Sequence, residues 1–275
     1  MSDHRCYFTK ATLCCTNSLN ISAQQYAIAA LGSNPQVIEI CRPHDSQWLV
    51  FGADKDQESD FYEHEEAILR GEHREWLFND LLFYKGMLYG LTRELRLVTF
   101  ELWDSSKPLA YRVLNMLPLH IPHIPYEDAD EIASYLVESC GELLMVFRLR
   151  LYTDNGYEDE FRTIQLLVFK LDQSNDLLQW VQVQSLGDQM LFLGTNYCLS
   201  VSATGTPGFK GNCIYFTDDG WPYFWAGNNS QASCLDNGIF YLDDGRIETF
   251  YDPDDSCQIK SQPIWVTPNN IFSID

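Results

Sequence analysis

The string IYFTDDG occupies residues 214–220 and IFYLDDG residues 239–245, so the chain writes nearly the same segment twice, 25 residues apart. Asp218, Asp219, Asp243 and Asp244 thereby form two pairs. Paired carboxylates can hold a divalent cation, or divide the acid and base roles of a glycosidase between them. A calcium loop, however, alternates its ligands as D-x-[DN]-x-[DN]-G before a distant Glu. Neither string alternates in that way. Asp-Gly between apolar strands is instead a hairpin signal, because Gly takes positive φ freely and Asp tolerates it while bonding its own backbone. The spacing predicts that Asp243, Asp244 and Gly245 turn GIFYL into RIETFY, and both DDG strings are read as corners.

The remaining chemical candidates are weaker. With 39 acidic residues in the chain, chance carboxylate pairs are unavoidable, and the sequence marks no pair as desolvated. His120 and His123 have HxxH spacing, but Pro118, Pro122 and Pro125 forbid the helix that brings two imidazoles to one face, so LHIPHIP is read as an extended linker. There is no G-x-S-x-G, P-loop or G-x-G-x-x-G. The nine cysteines, Cys6, Cys14, Cys15, Cys41, Cys140, Cys198, Cys213, Cys234 and Cys257, make no CxxC pair and are read as ordinary thiols. No metal or other cofactor is expected. The stretch DDGWPYFWAG does stand out, because it sets Trp221, Tyr223, Phe224 and Trp225 between two strands. Large rigid aromatics at a loop tip make protein-binding anchors, and these four are the candidate binding residues; the alternative is that they fold over an apolar sheet edge.

The elements that must position such a loop are short runs of β-branched and aromatic residues punctuated by Gly, Asp, Asn and Pro, with almost no helical periodicity. They fall into groups of four. The first is ATLCCT, YAIAAL, QVIEIC and QWLVF, and the second LLFYK, MLYGL, LRLVTFEL and LAYRVLN. The third is SYLVES, ELLMVFRLRLY, TIQLLVFKLD and LQWVQVQ, and the fourth CLSVSA, NCIYFT, GIFYLD and RIETFY. Gly86, Gly141 and Gly211 each precede the second run of a group. A four-strand unit recurring every ~40–60 residues is the pattern of a β-propeller, each blade a four-stranded antiparallel meander; a double sandwich is the competing architecture. The acidic stretches 54–66, where Ser59 could cap a helix, and 126–131 lie between groups and are read as solvated loops.

Composition bounds the function. The chain has 275 residues, 45% of them hydrophobic and 14% aromatic, ample for a substantial core. The formal net charge of −21 argues against nucleic acid and anionic membranes, because phosphates are gripped by clustered Lys and Arg, and favours a protein partner with a basic surface. The first residues lack a secretory signal, and no run reaches the ~18 apolar residues of a membrane span. A soluble protein of the cytoplasm, the nucleus or both is expected, in which the sequons at Asn20 and Asn228 carry no meaning.

SLGDQMLFLGTNYCLSVSA followed by GFKGNCIYFTDDG, DNGIFYLDDGRIETFY and QPIWVTPN resembles the C-terminal propeller of a large plant family. Its members are F-box proteins with a Kelch-like β-propeller, among them the F-box inhibitors of the brassinosteroid-signalling kinase. AIAALGSNPQVIEICRPHDSQWLVF, LLFYKGMLYGL and YLVESCGELLMVFR fit the same family in order, and Gly187 to Gly220 is the most specific part. The resemblance implies an all-β, Kelch-like propeller of four-stranded antiparallel blades, with residues 1–275 as a single domain. It also implies a non-enzymatic module that recognises a protein target, such as a kinase, for an SCF-type ubiquitin ligase. The F-box and the strands that precede the CRPHD region in the family are not found in the sequence. The expectation is therefore a propeller incomplete at its N-terminus, with unpaired strands in its first and last groups. It is expected to be prone to oligomerise, to bind targets without the Skp-type adaptor, and so to act as a decoy. A propeller hydrolase and a carbohydrate-binding module are the alternatives.

Overall fold

The computed structural model describes residues 8–16, 25–32, 37–43, 45–51, 77–103, 110–117, 119, 129, 131–154, 159–174, 177–218, 236–250 and 265–266. Among these residues the ordered elements are all strands, as the period-2 runs predict. By contact the chain divides into two compact units, Met1–Met116 and Leu117–Asp275.

In the first unit, β1 (Phe8–Cys15), β2 (Tyr26–Gly32), β3 (Ile38–Cys41) and β4 (Leu49–Phe51) form one antiparallel sheet in chain order. β5 (Phe78–Tyr84), β6 (Met87–Thr92), β7 (Leu97–Glu101) and β8 (Ala110–Val113) form the second in the same way. Alternate residues of both sheets enter one core that includes Ala29, Ile38, Ile40, Phe78, Leu81, Leu88, Val98 and Phe100. Phe51 joins the two, its ring 5.8 Å from Phe78 and 5.0 Å from Phe100.

The sheets of this unit are also joined by charge. Lys10 Nζ lies 2.7 Å from Asp80 Oδ1, and both residues are buried. Each sits beside a register shift, between Phe8 and Lys10 on β1 and between Phe78 and Asp80 on β5. A bulge adds one residue to a strand and re-aims the side chain next to it, here turning an ammonium and a carboxylate toward each other inside the core.

In the second unit, β9 (Glu131–Ser139), β10 (Glu142–Asp154), β11 (Asp159–Asp172) and β12 (Gln179–Val183) make the third antiparallel meander. The fourth sheet has five strands, β13 (Gln189–Leu193), β14 (Leu199–Ser202), β15 (Cys213–Phe216), β16 (Gly238–Tyr241) and β17 (Ile247–Thr249), in the order β14-β13-β15-β16-β17. The runs predict an antiparallel group beginning at CLSVSA. Instead QMLFL is inserted as β13 and pairs parallel with β15, Met190 opposite Cys213 and Leu193 opposite Phe216. The cause is the connection: β14 returns antiparallel to β13, and residues 203–212 then cross to the other edge of β13, so β15 enters in β13's own direction.

The three recurring glycines serve two purposes. Lys85 and Gly86 (φ 47° and 82°) close β5–β6, and Cys140 and Gly141 (φ 51° and 75°) close β9–β10. Two successive positive φ values make the I′ turn, whose twist matches that of the strands it joins. At the third position it is Asn212 that has positive φ, at 60°. Gly211 is required by closeness, since a Cβ there would lie 2.8 Å from the Asp188 Cα.

Candidate functional site

The two DDG strings prove unlike. Asp243, Asp244 and Gly245 lie in the loop joining β16 to β17, closed by Gly245 N–H donating to Tyr241 O and Tyr241 N–H to Arg246 O, each at 2.9 Å. Gly245 carries the positive φ, 72°, and Asp244 accepts from Arg246 N–H at 3.0 Å. Both carboxylates are exposed, as a corner requires. Asp218 is buried just after β15, and its N–H donates to Asn237 Oδ1 at 2.9 Å. Asp219 lies outside the described residues. No group of metal-ligating side chains converges among the described residues.

Asp218 borders a node centred on Arg148 of β10, which has no exposed surface. A guanidinium has five N–H donors in a fixed fork, and buried donors need acceptors. Nε donates to Thr163 Oγ1 at 2.7 Å, and Nη1 to Thr217 O at 2.7 Å and to the Tyr135 hydroxyl at 3.4 Å. Nη2 donates to Asp236 Oδ2 at 2.7 Å and to Asp236 O at 2.9 Å. Asp236 in turn accepts from Thr163, from N–H at Oδ1 and from the hydroxyl at Oδ2, both at 2.9 Å. The Phe216 ring packs against the guanidinium, its centroid 4.6 Å from Cζ.

Arg150, two residues on, faces the same way and pairs with Glu131 at 2.9 Å. Burial draws its pKa below the ordinary arginine value and the Arg148 charge adds to that, while Glu131, Asp236 and Asp218 oppose both. Strand alternation places both cations on one face of β10, whose register with β9 is unbroken from Arg148 to Arg150, while the partner strand β11 carries an extra residue, Ile164, opposite them. The Thr163 hydroxyl thus accepts from Arg148 and donates to Asp236, joining cation and carboxylate. The node holds structure: both chain ends that flank 219–235, at Thr217 and at Asp236, close on one guanidinium.

The other face of the fourth sheet is aromatic. Leu191, Leu193, Ile214, Phe216 and Phe240 point into the second unit's core, so Phe192, Tyr215 and Tyr241 must point away from it. Phe192 lies directly opposite Tyr215, and the rings stack at 4.7 Å with 9° between planes, the spacing of adjacent strands. Phe209 and Phe250 flank Tyr215 at 5.9 and 6.3 Å. Trp265 meets Phe192 edge-on at 5.0 Å while its N–H donates to Leu193 O at 2.8 Å. Burial raises the Tyr215 pKa to about 12, with Cys213 and Tyr241 adding to it, so the hydroxyl stays a donor.

Asp188 secures the crossover that carries Phe209. Its Oδ2 accepts from the Ser202 hydroxyl, from Thr204 N–H at 3.0 Å and from the Thr204 hydroxyl at 2.6 Å, bonds that hold its carboxyl below the usual range. The far end of the crossover lies against the Asp188 backbone through Gly211.

Trp221, Tyr223, Phe224 and Trp225 lie outside the described residues, as do His120, His123 and Ser59. The Arg148 node and the aromatic face were not picked out from the sequence. A signal for each was present: two arginines at alternate positions of the apolar run ELLMVFRLRLY, and runs such as MLFL and CIYF that are apolar on both faces.

A family model described as the KIB1-4 beta-propeller matches residues 2–252. The chain belongs to the KIB1-4 β-propeller family. Its sheets are the blades of that fold, in agreement with the all-β propeller expected from the strand groups. Among similar proteins, the Arabidopsis thaliana F-box protein At2g26160 is 34% identical over 142 residues, 52% of this chain and 40% of the relative. F-box protein At4g35733 of the same plant is 31% identical over 177 residues, 64% of this chain and 43% of the relative. F-box protein SKIP23, also from Arabidopsis thaliana, is 24% identical over 225 residues, 73% of this chain and 51% of the relative. The chain thus spans about half the length, or less, of these relatives. No solved structure matches it.

Proposed function

We propose that the chain is a non-enzymatic protein-interaction module, a Kelch-like propeller that recognises a protein target in the manner of the substrate receptors of SCF-type ubiquitin ligases. The observation that carries this reading is the match of residues 2–252 to a propeller family whose relatives include plant F-box proteins. The Arg148 node supports it, because its carboxylates are engaged with arginines and threonine rather than poised for acid–base work. The net charge of −21 favours a target with a basic surface, a kinase among the candidates, met in the cytoplasm, the nucleus or both. Trp221, Tyr223, Phe224 and Trp225 are the proposed anchors of this contact. A sugar platform has less support, because Phe192 and Tyr215 spend their ring faces on each other.

Binding of a purified basic-surfaced target to the chain, measured by interferometry, tests this reading. Trp221→Ser with Trp225→Ser should weaken it about tenfold or more, as loss of central aromatic anchors does. The same chain should not retain the Skp-type adaptor, since the propeller contributes target recognition rather than ligase docking. A target that binds both forms equally would remove these anchors from the proposal, and retention of the adaptor would show that the propeller also takes part in ligase docking.

A further inference from the structure

We propose that the aromatic face of the fourth sheet is a second docking surface, taking a target segment in which Lys or Arg alternates with apolar residues. The proposal rests on the reading of the chain as a protein-interaction module. Phe209 is 46% exposed and Phe250 is 45% exposed, on either side of Tyr215. These two side chains leave large apolar surface in water beside rings already held in place by stacking and by the Trp265 hydrogen bond. A face built in advance loses little freedom when a partner settles on it, and large aromatics are what such contacts use as anchors.

Charge selects the partner. The fourth sheet and its connections carry exposed Asp188, Asp243, Asp244 and Glu248 against Lys210 and Arg246. Both of these cations already lie on one ring of the face, Arg246 at 4.1 Å and Lys210 at 5.6 Å from the Tyr241 centroid. Rings of this face therefore accept cations, as aromatic faces do, and the carboxylate excess of the sheet matches that of the whole chain. A basic, apolar-interleaved segment satisfies both features: its cations meet carboxylates and ring faces while its apolar side chains cover Phe209 and Phe250. An acidic segment would meet repulsion, and a sugar finds the Phe192 and Tyr215 faces stacked together.

The probe is a labelled synthetic peptide alternating Lys with Leu, compared by fluorescence anisotropy with an acidic counterpart, in which Glu replaces each Lys and every Leu is kept, and with a cello-oligosaccharide. The full chain is used as wild type, as Phe209→Ser with Phe250→Ser, and as the conservative Phe209→Tyr with Phe250→Tyr. Circular dichroism and thermal melting confirm that each is folded. The basic peptide should bind wild type about tenfold or more tighter than the acidic one, lose about tenfold or more in the serine variant, and recover in the tyrosine variant. Equal affinity for both peptides, or an unchanged serine variant, overturns the proposal. Preferential sugar binding overturns it too, as does self-association of the chain that the serine variant abolishes. If the target binds wild type and the serine variant alike but not the Trp221→Ser, Trp225→Ser form, this surface falls while the interaction reading stands. If neither target nor peptide binds wild type, both fall.

Discussion

Asp236 Oδ2 stands 2.7 Å from Arg148 Nη2, although 88 residues separate the two in the chain. The same guanidinium holds the Thr217 carbonyl at 2.7 Å, so one strand residue of the third sheet binds both Thr217 and Asp236. A charge buried in this way is stabilised only while its partners remain.

Arg148→Met should therefore cost about 3–5 kcal/mol, because it leaves the Asp236 carboxylate buried without its cation. Arg148→Lys should lose part of that, since one ammonium cannot reach the acceptors that five forked N–H groups reach. Urea denaturation measures both. A Met variant within about 0.5 kcal/mol of wild type would mean that the node is not a fastening.

Lys10 and Asp80 make the corresponding test in the first unit. Lys10→Met alone strands a buried carboxylate and should cost about 3–5 kcal/mol. Lys10→Met with Asp80→Asn removes both charges and keeps an acceptor for the Leu81 N–H, which lies 2.7 Å from Asp80 Oδ1. The double variant should recover more than half of the loss. A double-mutant cycle with no coupling would show that the pair contributes nothing beyond its two side chains.

Gly141 and Gly211 should respond differently to the same substitutions. At Gly141 the space is open and φ is 75°, so Ala should cost about 1–2 kcal/mol and Asn, which tolerates that conformation, distinctly less. At Gly211 any Cβ meets the Asp188 backbone at 2.8–2.9 Å, so Ala should cost about 1–3 kcal/mol and Asn should give no relief. Thermal melts of the four variants decide between the two causes.

Burial raises the Cys14 pKa to about 12, with Cys15 adding to it. A raised folded pKa contributes stability that is fully present below the unfolded thiol pKa of about 8.5 and is lost as pH climbs toward 12. In that window the unfolded chain releases a proton that the folded chain keeps, so this thiol alone should lower stability by up to about 1.4 kcal/mol per pH unit. Cys14→Ala should flatten the alkaline limb of the stability curve while lowering stability at pH 7. Denaturation midpoints at pH 7, 9 and 10 check this, and an unchanged alkaline slope in the variant would refute it.

Local pattern settled much of this protein. Period-2 runs identify the strands and the face of each that is buried, Asp-Gly places the corner at 243–245, and the family is legible in strings such as GFKGNCIYFTDDG. These properties are carried by neighbouring residues, whose backbone preferences and alternation act over a few positions. Only the tertiary structure decided which strands become neighbours. The insertion of QMLFL between CLSVSA and NCIYFT depends on a crossover returning to the far edge of β13, which no alternation of residues encodes. The roles of Arg148 and Asp218 likewise waited on the fold: alternation buries Arg148 in β10, but its acceptors come from strands and loops up to 88 residues away. The stacking of Phe192 on Tyr215 requires two parallel strands in one register, a relation set by sheet assembly and not by either strand alone.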